Sequence, residues 1–203
     1  MKLPNTEELN DEQLEVFMAP LKTDVLVIGP PGTGKTVIAL YRAQIIHKKN
    51  KNAKFWILMY NRILRRYTEN NLDSGSFSGG AEVASRIRTM NSWLWSWGRR
   101  WGWRRDWRDF DNLNWIDGIA QLSNKPAHVQ KRALSWDHVI IDEGQDFAKG
   151  FYMLLQSVKA LGLSVEKHLA LTVFADENQR LDPDNNCSIE EIRSELNVPG
   201  FEE

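Results

Sequence analysis

The stretch Val25-Leu26-Val27-Ile28-Gly29-Pro30-Pro31-Gly32-Thr33-Gly34-Lys35-Thr36 decides how the rest of the chain is read. Four apolar residues run into Gly29, four more residues precede Gly34-Lys35-Thr36, and helix formers continue from Val37 to Ala43. This is the phosphate-binding loop pattern in its required setting, a strand before it and a helix after it. Gly32 and Gly34 can take backbone conformations closed to other residues, so that successive N–H groups turn inward and cradle phosphate oxygens. The positive end of the following helix adds to that field, Lys35 reaches the outer phosphates, and the Thr36 hydroxyl suits Mg2+. A glycine-rich turn that only joined a strand to a helix would have no need of Lys-Thr at this offset.

Outward from the loop, three further apolar runs have strand length: Phe55 to Tyr60, His138 to Ile141 and Leu169 to Ala175. They read as further core strands beside Val25 to Ile28, which is too continuously apolar to have one wet face, the habit of parallel strands covered on both sides. The segments between them read as helices, notably the one after Lys35 to about Lys49, Trp115 to Leu122, and Phe151 to Leu161. Alternating strands and helices predict an α/β fold, a parallel sheet flanked by helices with right-handed crossovers. Leu9 to Phe17 reads as an amphipathic helix capped by Asn10 or Asp11. Val83 to Met90 holds a short strand ending at Arg88-Thr89, with Asn91-Ser92 capping a helix from Trp93. Asp73 to Gly80 reads as a surface loop, and a loop is expected at Pro126.

With 203 residues the chain suits one substantial domain, expected over 1–203. Hydrophobic content of 42% and charged content of 26% exclude a largely disordered or collagenous chain. No apolar run is long enough to cross a bilayer and residues 1–8 lack an apolar export segment, so a cytoplasmic protein without a membrane partner is expected, as a monomer. Cys187 is the single cysteine, which excludes an internal disulfide and a cysteine-only metal site. His47, His128, His138 and His168 are scattered without metal-ligand spacing and read as surface or structural residues. The formal net charge of −1 hides a local excess: Arg99, Arg100, Arg104, Arg105 and Arg108 face only Asp106.

In open α/β sheets the ligand sits beyond the carboxyl ends of the strands. Besides Gly29 to Thr36, two strands deliver chemistry there, ending in Asp142-Glu143 and in Asp176 to Gln179. An isolated Asp-Glu is most often a solvated turn. After four largely apolar residues and downstream of a phosphate loop, it suits a nucleoside-triphosphatase, with Asp142 for the metal and Glu143 for the attacking water.

These residues carry a family resemblance. Gly29 to Thr36, Asp142-Glu143-Gly144-Gln145-Asp146 and Ala175-Asp176-Glu177-Asn178-Gln179-Arg180 resemble motifs I, II and III of UvrD/Rep-type superfamily 1 helicases, in the right order. Leu9 to Gln13 resembles the Q motif, Met59-Tyr60-Asn61-Arg62 motif Ia, and Arg88 to Trp93 motif Ib. The resemblance implies a RecA-like P-loop domain that takes ATP and Mg2+. It places Gln13 at the adenine, Gly29, Pro30, Pro31, Gly32, Thr33, Gly34, Lys35 and Thr36 around the phosphates, and Thr36 with Asp142 at the metal. Lys35, Glu143 and Gln179 become catalytic, and Gln145, Asp146, Asp176 and Arg180 couple hydrolysis to the strand-binding side. Single-stranded DNA or RNA is the implied partner, over Asn61, Arg62 and Thr89. Gly144 departs from the pattern, where an apolar or aromatic residue is common. Motifs IV to VI have no counterpart up to Glu203. The resemblance therefore implies the first half of a longer motor, slow in hydrolysis without the arginines of a second RecA-like domain, which can be worth about 10³–10⁵ in rate.

Tryptophan numbers nine, seven of them from Trp93 to Trp115. In the family this region carries an inserted subdomain, so residues 91–135 are expected as a short Trp/Arg-rich insertion. Aromatic faces stack on bases and guanidinium groups follow phosphates, which assigns Trp93, Arg99, Arg100, Trp101, Trp103, Arg104 and Arg105 to nucleic acid. Trp93, Trp97 and Trp101 also lie four apart, as a buried helical stripe would, so a core role stays open for Trp93 and Trp97. Two functions follow: an ATP-dependent motor domain, or a nucleotide-dependent module that controls a protein partner without translocation.

Overall fold

The computed structural model describes residues 8–60, 80–103, 114–163, 167–176 and 186–198. Strands β1 (Val25–Ile28), β2 (Phe55–Met59), β3 (Ile87–Thr89), β4 (His138–Asp142) and β5 (Ala170–Ala175) form one sheet in the order β1-β5-β4-β2-β3. Every neighbouring pair is parallel. The strand that comes last in the chain lies between the first and fourth. The phosphate loop after β1, Asp176 after β5 and Asp142 at the end of β4 therefore share the carboxyl edge.

Alternate residues of the strands feed two cores. Leu58, Val139, Ile141, Leu171 and Val173 face one side, covered by α4 (Met90–Trp101), α7 (Lys149–Leu163) and α8 (Ile189–Leu196). Phe55, Ile57, Met59, Ile140 and Phe174 face the other, covered by α2 (Lys35–Lys49) and α3 (Gly80–Ser85), with Val16 and Phe17 of α1 (Asp11–Met18) at its margin. Burial on both faces is what the continuously apolar runs required. Helices α5 (Trp115–Ser123) and α6 (Ala127–Ala133) complete the crossover from β3 to β4. Their Leu122 and Ala133 join the same core as α4. Among the described residues no helix is long and apolar enough to cross a membrane.

The α1 cap is Asn10, whose side chain accepts from the Gln13 N–H while the Gln13 side chain accepts from the Asn10 N–H. The cap expected at Asn91-Ser92 is instead Thr89, whose hydroxyl accepts from the Ser92 N–H at 3.3 Å and starts α4 directly from β3. The loop expected at Pro126 is the non-helical link 124–126, from which Pro126 caps α6, and α8 carries Glu190, Glu191 and Glu195.

The tryptophans form a continuous interior array. Trp93 stacks on Trp97 at 5.0 Å, Trp97 meets Trp101 edge-on at 5.5 Å, Trp101 stacks on Trp103 at 5.4 Å, and Trp103 leans on Trp115 at 6.3 Å. The strand-stacking role assigned to Trp93, Trp101 and Trp103 is thereby corrected. They are 1%, 1% and 4% exposed, and their faces are taken by one another. For Trp93 and Trp101 the helical phase decided it, since a four-residue spacing on an amphipathic helix keeps one stripe inside, and Trp103 follows the turn at Gly102 onto Trp101.

Candidate nucleotide site

The loop between β1 and α2 has the backbone that its glycines allow, with φ of 84° at Gly32 and 86° at Gly34. A Cβ at Gly32 would meet nothing within 4 Å, so this side of the loop is open. The Thr33 hydroxyl donates to the Pro30 carbonyl at 2.9 Å and fixes the turn. Lys35 Nζ donates to the carbonyls of Gly29 at 2.6 Å and Pro30 at 2.9 Å, and lies 3.6 Å from Asp176 Oδ2. The ammonium is thus turned back onto its own loop and onto the end of β5.

Gln13 reaches the same loop from α1, its Nε2 donating to the Thr33 carbonyl at 2.8 Å. A Cβ at Gly34 would come within 3.0 Å of that nitrogen, so the glycine serves both the left-handed turn and the close approach of α1.

Thr36 and Asp142 meet across 106 residues of chain, the hydroxyl donating to Asp142 Oδ2 at 2.8 Å. Asp142 is fully buried, and its Oδ1 has no hydrogen-bond partner. Burial first, then the Glu143 carboxylate beside it, push Asp142 up to about 7, against the Thr36 hydroxyl and the Lys35 ammonium. A buried carboxylate with one unused oxygen, next to a threonine hydroxyl, is a hard oxygen donor set that fits Mg2+. Thr36 and Asp142 would hold such an ion.

Glu143 stands in the left-handed region, φ 55° and ψ 53°, at the start of a one-turn 3₁₀ helix over Gly144–Asp146. Few residues other than glycine adopt this conformation, and it is held here by its neighbours. Glu143 Oε2 accepts from Gln145 Nε2 at 2.9 Å, and Gln145 Oε1 accepts from the Asp176 N–H at 3.0 Å. One amide therefore links the acid after β4 to the end of β5. Beneath the turn, the Tyr152 hydroxyl of α7 donates to the Gly144 carbonyl at 2.7 Å.

The structure also supplies the reason for Gly144. A Cβ there would lie 2.4 Å from Val173 Cγ1, 2.8 Å from the Tyr152 hydroxyl and 3.3 Å from the Phe174 carbonyl. The space that a side chain at this position would need is filled from below by Tyr152 and Val173. Gly144→Ala is expected to cost about 1–3 kcal/mol of stability as an overpacked core site. Adding Val173→Ala should return part of it, because it removes the tightest contact. Urea denaturation of the single and double variants checks this, and equal midpoints for wild type and Gly144→Ala would refute it.

Of the expected site residues, the structure brings together Gln13, the loop from Gly29 to Thr36, Asp142, Glu143, Gln145 and Asp176. Asp146 is 7% exposed within the 3₁₀ turn. Thr89 is 7% exposed and occupied in capping α4. Arg99 and Arg100 are exposed, Arg100 donating to Ser135 Oγ at 3.3 Å. Asn61, Arg62, Arg104, Arg105, Gln179 and Arg180 lie outside the described residues. Sequence reasoning missed Tyr152, for which the one available signal was the departure at Gly144.

The family model described as AAA domain matches residues 13–183, from Gln13 past the third strand-end motif. Among solved structures, the chain is similar to the Pif1 helicase from Candida albicans, with a TM-score of 0.50 and 15% identity. That alignment covers 83% of this chain and 32% of the Pif1 chain, so the likeness concerns the fold of one part of a larger protein. A search of the curated proteins finds no match.

Proposed function

The chain belongs to the AAA domain family found in superfamily 1 helicases of the UvrD and Pif1 kind, and from that premise we propose that it is the ATP-hydrolysing motor domain of a helicase or translocase. The observation that carries this reading is the Thr36–Asp142 hydrogen bond of 2.8 Å, which joins the phosphate loop to the Asp-Glu strand end at one sheet edge.

In this reading the loop amides from Gly29 to Gly34 and the start of α2 take the phosphates of ATP. Lys35 exchanges its loop carbonyls for the outer phosphates, and Gln13 exchanges the Thr33 carbonyl for the adenine. Thr36 and Asp142 would hold Mg2+, which would supply charge neutralisation to the phosphates. Glu143 orients and deprotonates the attacking water, with Gln145 holding its carboxylate. Gln179 acts as the terminal-phosphate sensor. A second RecA-like domain supplies the far wall of the cleft. Asn61, Arg62 and Thr89 take single-stranded DNA or RNA, and the link from Glu143 through Gln145 to Asp176 couples the nucleotide to that strand.

Calorimetry with Mg-ATP, repeated with a saturating single-stranded oligonucleotide, tests the proposal. The strand is expected to change nucleotide affinity or turnover. Nucleotide uptake that no strand alters would favour a module that signals to a protein partner, and no uptake at millimolar nucleotide would end both readings.

A further inference from the structure

Among the described residues one tryptophan is exposed. Trp95 has 44% of its surface accessible, while Trp93, Trp97, Trp101, Trp103 and Trp136 are buried. It lies on the outer face of α4 together with Ser92, Ser96, Arg99 and Arg100, all exposed. One turn along, the Arg99 guanidinium sits 4.7 Å over the Trp95 ring. A ring held flat under a cation has fewer rotamers to lose when a ligand arrives.

The helix Met90–Trp101 carries no acidic residue, and among the described residues Arg99 has no carboxylate partner. Its exposed face is therefore an aromatic plane, hydroxyls and two cations. That set complements a polyanion which also presents flat bases. Position agrees with chemistry. Thr89 ends β3 at the carboxyl edge, and six residues of helix put Trp95 about 9 Å further on.

We infer that Trp95 and Arg99 form a stacking platform for one unpaired base of a single-stranded nucleic acid, Arg99 covering one face of the ring and the base taking the other. This rests on the nucleic-acid side of the proposed function. It transfers the aromatic role from the buried tryptophans to a residue that the helical phase leaves outside, and it predicts that bases, not only phosphates, contribute to affinity.

The test is fluorescence anisotropy of this chain with a short labelled thymidine oligonucleotide and an abasic strand of equal length. Wild type is expected to prefer the base-bearing strand. Trp95→Ala should lower affinity for that strand by about 5- to 150-fold, the stacking of one base, and leave the abasic strand unchanged. Arg99→Ala should weaken both and reduce the salt slope by about one. Trp95→Phe should retain part of the preference. Equal binding of the thymidine strand by wild type and Trp95→Ala overturns the platform while leaving the motor reading standing, and so does an equal loss for both strands. Wild type that binds neither strand overturns both.

Discussion

Lys35→Met is expected to abolish tight Mg-ATP binding, lowering affinity by at least about 10- to 150-fold, the value of a charge-assisted contact of ~1.5–3 kcal/mol. Lys35 Nζ is held by the Gly29 and Pro30 carbonyls and lies 3.6 Å from Asp176. Three oxygens fix the ammonium at the loop, so its charge is in place before any phosphate arrives. Methionine fills the alkyl volume and removes only the charge and its donors. Lys35→Arg is expected to fail as well, because a planar fork cannot make the point contact that a compact ammonium makes. Any remaining turnover should fall further than affinity, since the charge acts most strongly where negative charge develops, an effect worth about 10²–10³ in rate at comparable sites. Isothermal calorimetry with Mg-ATP and a phosphate-release assay decide the matter. Wild-type affinity in Lys35→Met would mean that the loop does not take phosphates.

The loop and its partners were legible because their signals are local. A four-residue apolar strand, two glycines that need φ above 80° and a Lys-Thr pair are all read within twelve residues of sequence. Asp142-Glu143 was legible for the same reason, at the end of a strand that is buried throughout. The order of the strands was not, because nothing in the residues of β5 says that it enters between β1 and β4. Placing Asp176 against Lys35 depends on that entry. The Trp/Arg segment shows the limit most clearly. Trp and Arg alternate in the same way whether rings face a strand or a core, and only the phase of α4 separates Trp95 from Trp93, Trp97 and Trp101. Gly102, at φ 76°, then ends the helix and folds Trp103 back under Trp101, which the spacing did not announce. Helix α8 was readable and overlooked: Ser188 and Glu191 form a reciprocal cap at the offset expected of a helix start.

Arg42→Ala is expected to destabilise the fold by about 3 kcal/mol, and the reason is a buried cation with no carboxylate partner among the described residues. Arg42 is fully buried on α2. Its guanidinium donates to the carbonyls of Val16 at 2.7 Å, Ala19 at 3.1 Å and Pro20 at 3.3 Å, and its Nε donates to Thr172 Oγ1 at 3.2 Å. It therefore satisfies the C-terminal carbonyls of α1 and ties them to β5, with the negative end of α1 taking the place of a counter-ion. Burial lowers it to about 10, which leaves it charged at neutral pH. His138 completes the network. Its Nδ1 faces the Leu21 carbonyl at 3.2 Å and its Nε2 faces Thr172 Oγ1 at 2.9 Å. A carbonyl can only accept, so Nδ1 carries the proton and Nε2 accepts from the threonine hydroxyl. Burial, and then the Arg42 charge, push His138 down to about 3 and keep it neutral. Two effects oppose each other on substitution. Removing Arg42 relieves the desolvation of one ion, worth several kcal/mol, but it takes a donor from four acceptors and opens a cavity; Val16 keeps the Ala19 N–H and Pro20 the Thr23 hydroxyl, while the Ala19 carbonyl and Thr172 Oγ1 lose theirs at about 1–3 kcal/mol each. The two acceptors left without a donor and the cavity together outweigh the ion, and the alanine variant loses. Partial access of water to the α1 carbonyls keeps the loss at the lower end of the ~3–5 kcal/mol found for broken buried pairs. Arg42→Lys should recover little, since one ammonium cannot span α1 and Thr172 together. Because α1 also carries Gln13 to the Thr33 carbonyl, the same variant should loosen the loop between β1 and α2 from the side that α1 holds. Urea denaturation reads the first effect as a lower midpoint at constant slope. An unchanged midpoint would show that α1 is held without Arg42.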